Sequence, residues 1–492
     1  GMTKASPVLL ASAGSLQCNI DDAVGPGTGG SSLGSEVPLR LFGARSGYQR
    51  LNVLDSTVPA AVHGLESRLD LARTLFVVAS KSGTTTEPAM FHRYFYDRVE
   101  SLKGAKAGEN FVAVTDPDTQ LGKDAKADNF RRIFINQPDI GGRYSALSYF
   151  GMVPAAISGV DVATLLDRAV HASHIAQSPG VKKNPAAMLG TVIGALAMQG
   201  RDKLTLITPP PLDTLGLWIE QLIAGSTGNE GKGSPPLAGG PLRDTGDYGN
   251  DRLFGCVRMR NSEMTSKLKA LTDAGHPVVD LVLEDSLDIG EIFFTWEFAT
   301  AVAGALLGID AFDQPNVQES KDNTKRLLAE FESSGTMHVD QAQIAPDDSA
   351  AIGALLGSVK PGDYIALTEY FVESPERDQR IAAIRETLGR ELHVATTTGY
   401  GPRFLHSTGQ LHKGGPATGV FMQLTGGGHA DVPIPNEKFT FGVLVRAQAI
   451  GDFQSLASRK RRAVSIDLGD DVDAGLGALA KTVNAVLAKV TK

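Results

Sequence analysis

The sequence predicts an α/β protein with two domains, each built on a parallel sheet with helices on both faces. Three observations carry this prediction. Short apolar, β-branched runs alternate with helical patterns through the first half of the chain, which is typical of a doubly wound parallel sheet. The same plan returns after a polar segment at residues 177–185 that two prolines interrupt. The length of 492 residues also exceeds what one hydrophobic core usually holds.

The first predicted domain covers residues 1–180. A glycine-rich turn at residues 25–34 comes early in it, and four strands follow. These strands are predicted at Leu51–Asp55, Leu75–Ser80, Phe111–Asp116 and Arg132–Asn136. Ligands of such sheets bind beyond the carboxyl ends of the strands, so the turns in that position are the candidates for a site.

The second predicted domain covers residues 186–492, with strand–helix pairs continuing from Tyr364. A long apolar helix is expected to end at Gly308. The other elements that periodicity predicts are helix Ala186–Gln199, strand Lys203–Thr208, strands Leu253–Met259 and Val278–Glu284, helix Phe293–Leu307 and helix Val472–Val490.

The turn after the second predicted strand, Ser80–Pro88, has the composition of a phosphate-binding site. It leads into a helix, whose N-terminus offers unpaired N–H groups and a partial positive charge. Its sequence SKSGTTTEP carries five hydroxyls and a lysine. The alternative is a loop that only caps its helix, but one hydroxyl suffices for a cap. The composition therefore favours a phosphate monoester as ligand.

Two further turns contain candidate ligand groups. The glycine-rich turn at residues 25–34 includes Ser31 and Ser32, but it lacks a dinucleotide fingerprint, so a dinucleotide site is the less favoured interpretation. Arg143 follows two glycines and could stabilise an oxyanion at close range. An ion pair with a nearby aspartate would explain Arg143 equally well.

Composition restricts the classes of partner and compartment. The net charge of −8 argues against nucleic acid as the main partner, and no apolar run approaches the roughly 18 residues that span a membrane. The apolar stretch before Cys18 is shorter than the core of a secretion signal. Cys18 and Cys256 form no disulfide framework, so we expect a cytoplasmic protein.

Four motifs, taken together, resemble those of glucose-6-phosphate isomerases. They are the turn ending at Ser31, the turn Ser80–Pro88, the sequence GGRYS around Arg143, and the sequence DQPNVQESK that ends at Lys321. The resemblance extends over nearly the whole chain from Asp21. It is closest to the isomerase half of bifunctional transaldolase/glucose-6-phosphate isomerases.

This resemblance implies two sugar-isomerase domains of flavodoxin-like fold with the active site between them. It implies reversible conversion of glucose 6-phosphate to fructose 6-phosphate through a cis-enediolate, in glycolysis and gluconeogenesis. The reaction requires no metal or organic cofactor. The expected partner is a small sugar phosphate, not nucleic acid or a membrane, and the expected assembly is a monomer or a homodimer.

The resemblance also assigns roles to individual residues. Arg143 would stabilise the enediolate, Lys321 and His406 would open the sugar ring, and Gln221 would contact the substrate at the catalytic centre. The phosphate would be held by Ser31, Ser80, Lys81, Ser82, Thr84 and Thr85, and Gly30 and Gln314 would also contact the substrate.

Two departures from the family pattern matter. The family's proton-transferring glutamate falls at Gly225, and glycine cannot transfer a proton. Glu230 is the candidate substitute, because Glu220 lies more than one helical turn away from Gly225. The second departure is the order of two motifs. Single-function isomerases carry the histidine motif before the lysine motif, whereas here Lys321 precedes His406. Either the second domain is rearranged or His406 is an ordinary loop histidine.

These departures leave a second hypothesis beside the isomerase. The chain would then be a non-catalytic sugar-phosphate-binding protein or a partner subunit of a transaldolase. The glycine at residue 225 favours this alternative, whereas the phosphate turn, Arg143 and Lys321 favour the enzyme.

Overall fold

The computed structural model describes residues 20–27, 30–43, 45–339, 342–428 and 431–490. Within these residues the chain forms three parallel sheets flanked by helices, which confirms the predicted α/β class. Cys18 and the apolar stretch before it lie outside the described residues, as do residues 28–29 of the glycine-rich turn.

The first sheet has five parallel strands: β1 (Asp22–Pro26), β2 (Arg50–Leu54), β3 (Thr74–Ala79), β4 (Phe111–Thr115) and β5 (Arg132–Ile135). Their order across the sheet is β2-β1-β3-β4-β5. The central strand β3 is buried along its whole length, as expected where helices cover both faces. The four strands predicted here are all present, and β1 is a fifth that the sequence did not predict.

Two helices of this region begin at the predicted ligand-binding turns. Helix α1 (Gly30–Phe42) follows the glycine-rich turn, and helix α3 (Thr86–Lys103) follows the turn at Ser80–Thr85. A short 3-10 turn at Gly142–Tyr144 holds Arg143. The remaining helices are α2 (Pro59–Glu66), α4 (Gln120–Ala127), α5 (Tyr149–Ile157) and α6 (Val162–Ala176).

The second sheet follows the predicted linker and has four parallel strands. They are β6 (Lys203–Ile207), β7 (Pro236–Leu237), β8 (Arg252–Met259) and β9 (Val278–Leu283), in the order β7-β6-β8-β9. Its helices are α7 (Pro185–Met198), α8 (Asp213–Thr227), α9 (Thr265–Asp273) and α10 (Ile289–Leu307). Helix α10 ends at Gly308 in the left-handed conformation, as the sequence predicted.

The stretch Ser286–Leu307 is the one part of the described chain long and apolar enough to cross a membrane. More than half of it is buried inside the fold. Trp296 and Phe293 on this helix have no exposed surface. The helix therefore packs as the core helix of a globular domain does.

A third sheet lies in the C-terminal part of the chain. Its parallel strands are β10 (Tyr364–Tyr370), β11 (Ala395–Tyr400), β12 (Gly419–Thr425) and β13 (Arg462–Asp467), in the order β11-β10-β12-β13. The predicted second domain thus contains two sheets. The helices that precede and surround this sheet are α11 (Pro315–Ser334), α12 (Ser349–Leu356), α13 (Pro375–Leu392), α14 (Gly409–Gly414), α15 (Phe441–Ser458) and α16 (Val472–Val490).

Shared hydrophobic cores join the three sheets. One core combines residues of the first two sheets, such as Leu75 and Leu204. Another packs the opposite face of the first sheet and helix α3 against helices α11 and α15. Within it the rings of Phe91 on α3 and Phe441 on α15 lie 5.7 Å apart. This packing brings α11 and the C-terminal region to the carboxyl edge of the first sheet, next to the Ser80–Thr85 turn.

Candidate active site

The Ser80–Thr85 turn owes its shape to Gly83. This residue has φ +66°, in the left-handed region that favours glycine. A Cβ atom there would lie 2.6 Å from the Cβ of Thr119, so no larger residue fits without movement. The turn can therefore bend tightly over the carboxyl end of the sheet.

The hydroxyls of this turn are available to a ligand because they are not used as helix caps. Thr85 is the N-cap residue of α3, yet its side chain makes no capping hydrogen bond. Its Oγ1 lies 3.3 Å from Oγ of Ser80, while Ser82 Oγ accepts from the backbone and hydroxyl of Thr84. By contrast, Thr119 at the start of α4 caps the N–H of Gly122. A simple capping loop does not account for this arrangement.

The lysine of the turn is partly engaged. Lys81 forms an ion pair with Asp116, which follows β4, and its Nζ donates to the carbonyl of Pro138 at 2.8 Å. The side chain of Lys81 remains about one third exposed, so an anion in the cavity could still approach it.

Arg143 is buried and firmly held. Its Nε donates to Ser226 Oγ at 2.9 Å, and Nη2 donates to the carbonyls of Ala311 and Asp313. Nη1 donates to the side-chain oxygen of Gln314. Burial lowers the pKa of Arg143, although a guanidinium stays protonated at neutral pH. The result is a fixed cation beside the cavity.

Gly225 lies against this arginine. A Cβ atom at residue 225 would be 2.4 Å from Cδ and 3.1 Å from Nε of Arg143. The volume that a glutamate side chain would enter first is therefore filled by Arg143 itself. Helix α8 holds both Gly225 and Ser226, so it positions the arginine and leaves no carboxylate at this point.

His406 and Lys321 meet although 85 residues separate them in sequence. His406 ends a 3-10 turn at Arg403–His406, Lys321 lies on α11, and both line the same cavity. His406 Nε2 lies 3.1 Å from Oε1 of Glu87, which is buried in the first turn of α3. This proximity supports a rearranged second domain over a fortuitous match of His406.

The electrostatics of this group favour an ionised Glu87. Burial opposes ionisation, but His406 and Lys321 outweigh it and hold the pKa of Glu87 below its usual range. Burial lowers the pKa of Lys321, with Glu87 acting in the opposite direction. A carboxylate, an imidazole and an amine therefore meet at one point, which is a suitable set for acid–base chemistry.

These groups surround a cavity of about 260 Å³ at the carboxyl edge of the first sheet. The predicted site residues that line it are Ser80, Lys81, Ser82, Thr85, Arg143, Gln221, Gln314, Lys321 and His406. Gln221 donates to the backbone carbonyl of His406 at 2.8 Å, which ties helix α8 to the histidine turn.

Four predicted site residues are not placed in the cavity. Thr84 is exposed and bonds Ser82. Glu230 is exposed in the loop after α8 and is not among the residues that line the cavity, so its proposed role as substitute base gains no support. Gly30 and Ser31 are in the first turn of α1, and the side chain of Ser31 lies outside the described part of the structure.

Two acidic residues near the cavity were not assigned by the sequence analysis. Glu87 lies inside the SKSGTTTEP motif, so its position was visible but its pairing with His406 was not. Asp116 ends a predicted strand at the binding edge of the sheet, which is a usable signal. Glu220, as expected, points elsewhere, since it accepts from the N–H of Ala238 and the hydroxyl of Thr397.

Comparisons with known proteins agree with this geometry. Residues 11–228 match the family model of phosphoglucose isomerase. A probable glucose-6-phosphate isomerase of Methanococcus maripaludis is 27% identical over 344 residues, which cover 62% of this chain and 77% of that protein. The glucose-6-phosphate isomerase of Staphylococcus saprophyticus is 29% identical over 351 residues, which cover 61% and 79% of the two chains.

Solved structures show the same fold. A hypothetical protein from Thermus thermophilus aligns with a TM-score of 0.58 and 25% identity, covering 67% of this chain and 89% of that chain. A glucose-6-phosphate isomerase from Chlamydia trachomatis aligns with a TM-score of 0.58 and 22% identity, covering 67% and 73%. Over residues 11–228 and over the stretches aligned with these relatives, the chain is therefore similar to glucose-6-phosphate isomerases, which are enzymes of the isomerase class.

Proposed function

We propose that the protein binds hexose 6-phosphates in this cavity and interconverts glucose 6-phosphate and fructose 6-phosphate. One observation carries the proposal: the hydroxyl turn, Arg143, Lys321 and His406 all line a single cavity. The turn offers donors for a phosphate, and Lys321 and His406 bring an amine and an imidazole to the same cavity. The proposed substrate follows from the names of the relatives, and the proposed reaction steps follow from the side chains that line the cavity.

The first chemical step is opening of the hemiacetal ring. This step requires a proton to be given to the ring oxygen and another to be taken from the hydroxyl on C1. Lys321 and His406 supply an amine and an imidazole to the cavity, and burial lowers the pKa of the Lys321 amine, which eases its exchange of a proton. Glu87, bonded to His406, would stabilise the protonated imidazole.

The second step moves a proton between C2 and C1 through an enediolate. Negative charge develops on oxygen in this step, and a fixed cation nearby lowers the barrier. Arg143 fits this role because its bonds to Ser226 and to two carbonyls hold it in place before the substrate arrives. Little reorganisation would then be needed as the charge forms.

We infer that this proton transfer is the slow step. Among the described residues that line the cavity, Asp116 is the sole carboxylate, and it is paired with Lys81. Residue 225 offers no side chain, and Arg143 occupies the adjoining space. Without a positioned base the step should be about 10²–10⁴-fold slower than with one.

The same contact at residue 225 supports a second candidate function. If no group moves the proton at a useful rate, the protein would bind sugar phosphates without turnover, as a sensor or as a subunit beside a transaldolase. Binding with no measurable isomerisation would then be its whole activity.

The two functions are separated by a coupled assay of fructose 6-phosphate conversion, run beside calorimetric binding of glucitol 6-phosphate, which cannot isomerise. The enzyme hypothesis predicts slow turnover above the uncatalysed rate and tight binding of glucitol 6-phosphate. Binding without turnover would establish the second function. Failure of both sugars to bind would contradict either proposal.

Gly225→Glu and Gly225→Ala form a matched pair for the missing base. Both substitutions press the same Cβ against Arg143, but only the first adds a carboxylate. We expect Gly225→Ala to be slower than the unaltered protein and Gly225→Glu to exceed Gly225→Ala by at least about 10²-fold. Equal rates for the two variants would show that the missing carboxylate does not limit turnover.

A further inference from the structure

Gln448 links the C-terminal sheet to the acid–base group. It lies on α15, which connects strands β12 and β13, and only 2% of its surface is exposed. Its Nε2 donates to Oε1 of Glu87 at 2.7 Å, and its Oε1 accepts from the hydroxyl of Thr57 at 2.7 Å. Neither motif analysis nor the family resemblance assigns a role to this residue.

The two bonds fix the orientation of the amide. An ionised carboxylate can only accept hydrogen bonds, so the nitrogen of Gln448 must face Glu87. The hydroxyl of Thr57, which is fully buried, then donates to the amide oxygen. Thr57 follows strand β2 of the first sheet. The hydrogen-bonded series Thr57–Gln448–Glu87–His406 therefore alternates between the first sheet region and the C-terminal region.

Gln448 and His406 contact the same oxygen of Glu87. Donors to a carboxylate stabilise its charged form. The titratable groups that face Glu87 are His406, Lys321 and the hydroxyl of Tyr370, whereas Gln448 and Thr57 carry no charge. Gln448 is therefore a neutral donor that favours ionisation without competing with His406 for charge.

We propose that Gln448 is a positioning residue, which holds Glu87 ionised and oriented so that Nε2 of His406 carries its proton and Nδ1 is left to exchange a proton with the ligand. The role in turnover rests on the proposed function. The role in setting the tautomer of His406 does not, because it follows from the hydrogen bonds alone. The C-terminal region is then part of the catalytic apparatus, since it supplies both His406 and the residue that orients its partner.

The test uses Gln448→Leu, with Gln454→Leu as the matched control. Gln454 lies on the same helix, and its side chain accepts from Arg326. In Gln448→Leu we expect the acid limb of the pH profile of kcat/KM to move up by about one pH unit, because the loss of one donor raises the pKa of Glu87 by that order. KM for fructose 6-phosphate should stay unchanged, and Gln454→Leu should behave like the unaltered protein.

A second measurement does not depend on turnover. Nitrogen-15 NMR of histidine-labelled protein reports the tautomer and titration of His406, assigned by its loss in His406→Asn. We expect a predominant Nε2–H form in the unaltered protein and a mixed population in Gln448→Leu. Thr57→Val should also move His406 toward a mixed population of tautomers, but to a smaller extent. This variant tests the proposal if Gln448→Leu does not fold.

The outcomes separate the two proposals. An unchanged tautomer and an unchanged acid limb in both Gln448→Leu and Thr57→Val would overturn the role of Gln448. The same would follow if Gln454→Leu produced shifts of equal size. Absence of turnover in the unaltered protein, combined with the expected tautomer shift, would contradict the isomerase function and leave the positioning role in place.

Discussion

The turn at Ser80–Thr85 and helix α8, which holds Gly225 and adds Gln221 to the lining, border the same cavity, but they differ in what they offer to a substrate. The turn presents several hydroxyls, a partly exposed lysine and a helix N-terminus without a side-chain cap. The helix presents a glycine, with Arg143 packed where a side chain would begin. One region has the composition of a phosphate-binding turn, while the other has no side chain at residue 225 that could move a proton.

Under the proposed function, this difference places binding and turnover on separate parts of the fold. The phosphate turn is local, so its function depends on one stretch of chain and on the glycine that shapes it. The proposed proton chemistry depends on groups from three distant segments, namely Glu87, Lys321 and His406. We therefore expect a single change among these three to slow catalysis and to leave the affinity for sugar phosphate unaffected.

The largest expected effect comes from His406→Asn, which removes the imidazole that contacts Glu87. Ring opening should slow by about 10²–10⁴-fold, since a general acid–base group is lost. Exchange between the two anomers of glucose 6-phosphate, followed by NMR, measures this step directly. Affinity for glucitol 6-phosphate should not change, and a parallel loss of affinity would break the proposed separation of the two regions.

Glu220→Gln tests whether Glu220, the buried acid on helix α8, could serve as the base. Burial raises the pKa of Glu220 from 4.5 to about 7. The unfolded chain therefore releases this proton at lower pH than the folded protein does. The contribution of Glu220 to stability is present below pH 4.5 and is lost as the pH rises through 7.

We expect Glu220→Gln to raise the free energy of unfolding at pH 8 by up to about 3 kcal/mol, which corresponds to the pKa rise, and to change it little at pH 4. Urea unfolding at the two pH values measures this difference. Isomerisation should proceed at the unaltered rate. A large fall in turnover would instead identify Glu220 as the missing base.

Thr85→Val should have a smaller effect, confined to binding. Loss of one hydroxyl donor to a charged phosphate should weaken the affinity for glucitol 6-phosphate by about 10-fold. Isomerisation at saturating substrate should not change. Ser101→Ala, on the same helix but with its hydroxyl bonded to the Asp97 carbonyl, is the control for calorimetry. Equal affinities for the two variants would remove Thr85 from the phosphate site.

The sequence predicted the elements that depend on neighbouring residues, and it did not predict the contacts between distant segments of the chain. The four strands predicted in the first sheet and the turn at Ser80–Pro88 are set by short-range patterns, and they are present. The meeting of Glu87 with His406 depends on the packing of α3 against the C-terminal region, which no local pattern encodes. The contact of Arg143 with Gly225 is likewise a product of tertiary packing, and so is the burial of Gln448.

The order of motifs illustrates the same point. Lys321 precedes His406 in this chain, and from the sequence alone the histidine could have been an ordinary loop residue. Both residues line one cavity because α11 and the Arg403–His406 turn pack beside the first sheet. By contrast, Glu230 is close to Gly225 in sequence but lies in an exposed loop and is not among the residues that line the cavity, so its role as substitute base stays a prediction.

The most direct test of the central claim compares two rates in one sample of the unaltered protein with glucose 6-phosphate. NMR exchange spectroscopy gives the rate of ring opening from anomer exchange, and incorporation of solvent deuterium at C2 gives the rate of proton transfer. We expect accelerated anomer exchange and deuterium incorporation at least about 10²-fold slower. Equal rates for the two processes would show that another group replaces the missing glutamate and that proton transfer is not the slow step.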